Sequence, residues 1–163
     1  MNTRTLPAGP IPRVIALFEK IPHSVIAFIA RFSIAAVFWK SGQTKVEGFA
    51  VDLISGTFQF GEPKLAASTL PLFRSEYHVP LLSPEVAAPM AAFAEHFFPV
   101  LILVGFATRF SALALIGMTL VIQLFVYPDA YPTHGTWIAL LLLLVAKGPG
   151  RLSIDHLIAR RYA

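Results

Sequence analysis

Residues 110–127 read FSALALIGMTLVIQLFVY, eighteen positions without a charge, whose most polar member is the amide of Gln123. A helix needs roughly 20 mostly apolar residues to cross the hydrocarbon core of a bilayer. A large soluble core would spread its apolar residues in short alternating runs, whereas here they fall in one block of helical length. Such a helix can face lipid along its whole length.

Three more blocks lie on either side of it. Residues 22–40 are broken only by His23, Ser24, Arg31 and Ser33. Residues 85–107 carry Glu95 and His96 at their middle. The last block, Gly135 to Ala146, contains the run Leu140 to Leu144 but has only 12 residues. That is about 18 Å of helix at about 1.5 Å per residue, against a hydrocarbon core of about 30 Å. The helix is therefore expected to start earlier, near Ala130 to Thr133, unless the bilayer thins around it. Spans at about 22–40, 85–107, 110–127 and 131–147 follow, and the last carries Thr133 and His134 into the outer half of the membrane.

Composition agrees. Of 163 residues, 56% are hydrophobic and only 13% charged, about half the charge of a soluble domain, so a bilayer must solvate much of the surface. The length suits one domain. Arg31 interrupts the first block and bulky Phe38-Trp39 follows the small pair Ala35-Ala36, which argues against a cleaved signal peptide. No cysteine is present, which excludes disulfides, thiolate metal sites and dithiol redox chemistry. The formal charge of +4 is not gathered into a basic run with interleaved aromatics. Lipid headgroups rather than nucleic acid are the expected partner.

Orientation follows from Lys and Arg at the span ends. Arg4, Arg13, Lys20, Arg109, Lys147, Arg151, Arg160 and Arg161 fall on one side with Glu19 and Asp155. The other side holds Lys40, Lys45, Lys64 and Arg74 against Glu47, Asp52, Glu62, Glu76, Glu85 and Asp129. Both termini are assigned to the cytoplasm. The turn at Lys147-Gly148-Pro149-Gly150 ends the fourth span. Ser153 then reads as the N-cap of a short interfacial helix within the tail 148–163, with Asp155 in its first turn. Pro12 to Lys20 reads as a similar interfacial turn ahead of the first span, and Trp39 and Trp137 as aromatic anchors at the membrane surface.

The outer loop, residues 41–83, is not hydrophilic. Phe49, Leu53, Ile54, Phe58, Phe60, Phe73 and Leu81 are spread through it, and Gly56, Gly61, Pro63, Pro71 and Pro80 cut it into pieces. A loop this long is functional or ordered by docking. It is read as a cap of short helices over the outer ends of the bundle, or as a lid over an outward pocket.

Charges at mid-depth in a membrane are costly and face the protein interior. Arg31 and Glu95 lie at the midpoints of two antiparallel spans, which predicts an ion pair between them. The pair is either a latch setting helix register or the floor of a polar pocket. The candidate pocket residues are Arg31, Glu95, Gln123 and His134. Gln123 with Thr119 can equally be packing glue between helices. His96 and His134 are the only histidines placed to suggest a metal, and they lack a compact ligand spacing. No Ser-His-Asp pattern, phosphate-binding glycine loop or dinucleotide fingerprint appears.

The order of these features resembles the DoxX family of four-helix bacterial membrane proteins over roughly residues 25–158. The resemblance rests on Arg31, Ser41-Gly42 and Lys45, Glu95, and Gly105-Phe106-Ala107-Thr108-Arg109. It continues through Tyr127-Pro128-Asp129, Thr133-His134 and Gly148-Pro149-Gly150-Arg151-Leu152-Ser153-Ile154-Asp155. It implies an all-α four-helix bundle in the bacterial cytoplasmic (inner) membrane. The family takes its name from the smaller subunit of an archaeal thiosulfate–quinone oxidoreductase, and other relatives are associated with oxidative- or metal-stress partners. The resemblance thus implies an accessory or quinone-linked subunit, non-catalytic by itself, serving a protein partner or assembling with its own copies. Small-molecule or metal handling in an outward pocket, and a purely structural interaction role, are the competing readings.

Overall fold

A computed structural model describes residues 10–77 and 79–162; Arg4, counted above toward the amino-terminal charge, lies outside them. A short helix α1 (Pro10–Phe18) leads into α2 (His23–Gln43). A hairpin follows, β1 (Val46–Asp52) and β2 (Thr57–Leu65), then the short helix α3 (Thr69–Ser75). The long helices α4 (Pro84–Val104), α5 (Thr108–Phe125) and α6 (Tyr131–Lys147) complete the bundle, and α7 (Ile154–Tyr162) ends the chain. Helix α2 packs on α4 and α6, and α5 closes the ring between α4 and α6.

The bundle core mixes small residues with Ile34, Phe38, Ile102, Leu115, Leu141 and Leu144. Ala27, Ala30, Ala35, Ala88, Ala92 and Ala112 are buried at the helix contacts, where they let backbones approach closely. Large apolar side chains, among them Phe28, Phe32, Met90, Phe93, Phe110, Leu113 and Leu124, point outward. Lipid is the solvent that favours this distribution. Helices α2, α4 and α5 are each long and apolar enough to cross a membrane. Helix α6 has 17 residues and begins at Tyr131, after a single 3-10 turn at Pro128–Ala130. The earlier start expected from the length argument is found, and it carries His134 into the protein interior, 3% exposed.

The outer loop departs from expectation. Only α3 is helical; most of the rest is the antiparallel hairpin, in which Phe49 opposes Phe60 and Val51 opposes Phe58. Two local features account for it. At the turn, Asp52 Oδ1 accepts the N–H groups of Ile54 and Ser55 at 2.8 and 3.2 Å, and Gly56 takes a positive φ of 69°. At the base, Gly48 and Gly61 cross so closely that a Cβ on Gly48 would lie 2.3 Å from the Glu62 carbonyl oxygen. That contact sits at a bulge between Glu47 and Phe49.

The opposite end of the bundle is held by a tight turn between α4 and α5. Gly105, in the left-handed region, closes α4 with Gly105 N–H to Ile102 O and Phe106 N–H to Leu101 O, the paired pattern of a Schellman cap. Asp155 then reaches back from α7 and accepts the N–H groups of Ala107 and Thr108 at 2.8 and 2.9 Å. A carboxylate so placed satisfies two orphan donors of α5 and complements its dipole. Ser153 caps α7 as expected, its Oγ accepting the His156 N–H at 3.2 Å.

Candidate functional site

Helix α2 and the chain beyond it bring Ser41, Gly42, Gln43 and Lys45 against Glu95 and His96 of α4. The approach depends on Gly42, because a Cβ there would stand 2.8 Å from the His96 ring and 3.1 Å from the Glu95 Cβ. Lys45 folds back over the end of α2, and its Nζ donates to Glu95 Oε2 at 2.7 Å, Ser41 Oγ at 3.1 Å and Ser41 O at 3.4 Å. An ammonium has three donors, and all three are engaged. Both members of the pair are buried, Lys45 at 6% and Glu95 at 3% exposure.

This corrects the predicted Arg31–Glu95 pair. Gly42 lies beside Glu95, and Gly105 lies beside the Arg31 guanidinium. Arg31 precedes Gly42 by eleven residues and Glu95 precedes Gly105 by ten. The two charges are therefore about 15 Å apart along the bundle. Each charge is near the middle of its own helix, but the two helices are staggered: Gly42, next to the end of α2, meets Glu95 at the middle of α4. Arg31 instead donates to the carbonyl of Leu152 at 2.5 Å and lies against the Phe28 ring. It fastens the tail to the bundle.

Beside the ion pair runs a chain of neutral hydrogen bonds. The Val51 N–H can only donate, so Gln43 Oε1 accepts it at 2.7 Å, which turns the Gln43 amide nitrogen toward His96 Nε2 at 2.8 Å. The Ala92 carbonyl can only accept, so His96 carries its proton on Nδ1 and donates it there at 2.7 Å. Trp39 completes the clamp, donating from Nε1 to Val51 O at 2.8 Å. Its ring meets His96 and Phe49 edge-on. Trp39 is thus a fastener between α2 and the hairpin. Trp137 packs against Phe38 and His134 inside the bundle.

Gln123 and His134 form a separate group joining α5 to α6. Gln123 donates to Pro128 O at 2.6 Å and accepts from His134 Nδ1 at 2.7 Å. Thr119 bonds within its own helix, to Leu115 O. Arg31, Glu95 and the Gln123–His134 pair therefore occupy three hydrogen-bonded groups, with no contact between them. Among the described residues no three His, Asp or Glu side chains come together as metal ligands, and His96 and His134 are each spent on a glutamine.

Lys45, Ser41 and Gln43 are the site residues that sequence reasoning missed. Lys45 was visible as an outer cation beside Ser41-Gly42, but its partner depends on how the chain folds back after α2. Asp155 was read as serving its own helix, although its carboxylate serves α5.

Several apolar spanning helices packed around a shared core define a multi-pass helical membrane protein. The DoxX family model matches residues 26–128, well over half of the chain, and the protein belongs to that family. Comparison with curated proteins and with solved structures finds no match.

Proposed function

We propose that this DoxX protein is a non-catalytic accessory subunit of the bacterial cytoplasmic membrane. In this reading it crosses four times with both ends inside and offers its outer hairpin to a partner protein. The observation that carries the reading is the unequal treatment of the two strands. On β1, the N–H and C=O of Val51 are both taken by α2 side chains. On β2, by contrast, all nine residues are exposed. A two-stranded hairpin is marginal alone, yet this one is clamped to the bundle and still presents Leu53, Ile54, Phe58 and Phe60 to the outside. Apolar side chains held rigidly in the open mark an interaction surface. Pro63 lacks an N–H and interrupts the free edge of β2. A partner would therefore bind the aromatic faces rather than extend the sheet.

The engaged donors of Lys45 support a latch rather than a ligand pocket at Glu95. Four crossings and cytoplasmic termini rest on the excess of Lys and Arg at the α4–α5 turn and both ends of the chain, together with the α6 start at Tyr131. Family membership directs the search to redox and stress-response partners. With no cysteine in this chain, any redox role would need a bound cofactor or such a partner.

A photo-cross-linking residue at Phe60, introduced into the protein in its own membrane, tests the proposal. We expect one discrete adduct with a second, different protein, and none from the same probe at lipid-facing Leu113. Lipid adducts alone at Phe60, or only a dimer of this chain, would remove the accessory-subunit reading.

A further inference from the structure

At the end opposite the hairpin, a cavity of about 440 Å³ opens between the α4–α5 turn, the Lys147–Arg151 turn and α7. The geometry points to this cavity as a binding site for the phosphate headgroup of an anionic lipid. Arg109, Lys147 and Arg151 line it, with Asp155 as the one acid. Both Asp155 oxygens are engaged by the Ala107 and Thr108 N–H groups, so its charge is turned toward α5. Among the described residues the only ion pairs are Lys45–Glu95 and Arg74–Glu85, and the three cavity cations have no carboxylate partner within salt-bridge distance.

The walls are held in place before any ligand arrives. Arg109 Nε donates to Val145 O at 3.0 Å, which anchors the stem of the guanidinium while leaving its two terminal nitrogens for an oxyanion. The Arg151 N–H donates to Ser24 Oγ at 3.0 Å. A Cβ on Gly150 would meet the α2 backbone at Ser24, 2.9 Å away. A guanidinium matches the oxygens of a phosphate, and a nearby lysine adds a point charge.

A lipid rather than free phosphate is favoured by what borders the cavity. Leu152, Ile154, Leu157 and Ile158 are exposed on the segment that carries Asp155. Helix α1 enters α2 at the same end, with Ile11, Ile15 and Phe18 exposed. Apolar side chains beside cations place the cavity at headgroup depth, where an acyl chain can lie along the bundle.

The test uses the full chain in mild detergent with mixed phosphatidylglycerol and phosphatidylcholine, reading retained lipid by native mass spectrometry. Wild type should prefer phosphatidylglycerol. Lys147→Gln and Arg151→Gln should each cut that preference about fivefold, as expected for a cation near an anionic surface. Lys147→Arg, which keeps the charge, should keep the preference. The double variant Arg160→Gln/Arg161→Gln removes twice the charge of either single variant, but outside the cavity, and should leave the preference unchanged. Equal loss from that outer pair would mean general surface attraction and overturn the site, as would full retention in the Lys147 and Arg151 variants. Displacement of the lipid by about 10 mM inorganic phosphate would mark a site for free phosphate and overturn the lipid assignment.

Discussion

Lys45 and Glu95 are both removed from water, and each is tolerable there because of the other. Removing one partner of a buried pair strands the remaining charge, at a cost of about 3–5 kcal/mol, whereas replacing both with apolar residues is often nearly neutral. Lys45→Met should therefore lower the thermal unfolding midpoint in detergent sharply, and Lys45→Met/Glu95→Leu should recover most of the loss. Arg31 lies too far from Glu95 to couple, so the corresponding Arg31/Glu95 cycle should close to within about 0.5 kcal/mol. A large Arg31–Glu95 coupling would restore the pairing that mid-span counting suggests. Gly105 offers a second check. Its φ of +72° disfavours a side chain, and a Cβ would sit 2.0 Å from Arg31 Nη1 and 2.5 Å from the Ser153 Cβ. Gly105→Ala should destabilise by more than the roughly 1 kcal/mol of an ordinary left-handed glycine position, measured by the same unfolding assay. Gly117→Ala, where a Cβ meets nothing, is the control.

The elements were not equally legible. The long helices could be read from blocks of apolar residues because a bilayer imposes both length and composition on helices that cross it, as α2, α4 and α5 can. Their ends were less clear, since α2 continues through the polar Lys40, Ser41 and Gln43 to reach α4. The hairpin was hidden for a different reason. Proline and glycine at Gly56, Gly61 and Pro63 were read as breaks between helical pieces, whereas one makes the turn, one permits the close crossing and one sits on the free edge. Asp52 was counted only as an outer acid, although it closes the turn. Its two backbone hydrogen bonds, chiefly the one from Ile54, hold its pKa below the ordinary value. A carboxyl with a depressed folded pKa stabilises above its unfolded value, about 3.9, and loses that contribution as pH falls through the folded one. The Ile54 amide resonance should accordingly titrate with a midpoint below about 3.9, and Asp52→Asn should abolish the titration. A midpoint at or above the ordinary value would mean the turn is not held by this carboxylate.

Across the whole molecule, polar side chains do the fastening at both ends while alanines and large apolar side chains together fill the middle. At one end Arg31 and Asp155 tie the tail to α2 and α5, and at the other Lys45, Glu95, Gln43 and Trp39 tie the hairpin to α2 and α4. None of these long-range partners could be assigned from spacing, because each joins segments whose meeting depends on turn geometry. The proposed partner platform depends on the fastening at the hairpin, which turns a two-stranded element that is marginal alone into a fixed one. Hydrogen exchange of the purified protein measures this directly. The amides of Ala50 and Gln59, which face each other across the ladder, and of Val51, held by Gln43, should be protected in the wild type. In Lys45→Met they should exchange at least about 100-fold faster, while Leu115 to Leu120 in α5 stay protected, as expected of a local opening. Rapid exchange of the hairpin in the wild type, or no change in the variant, would contradict it.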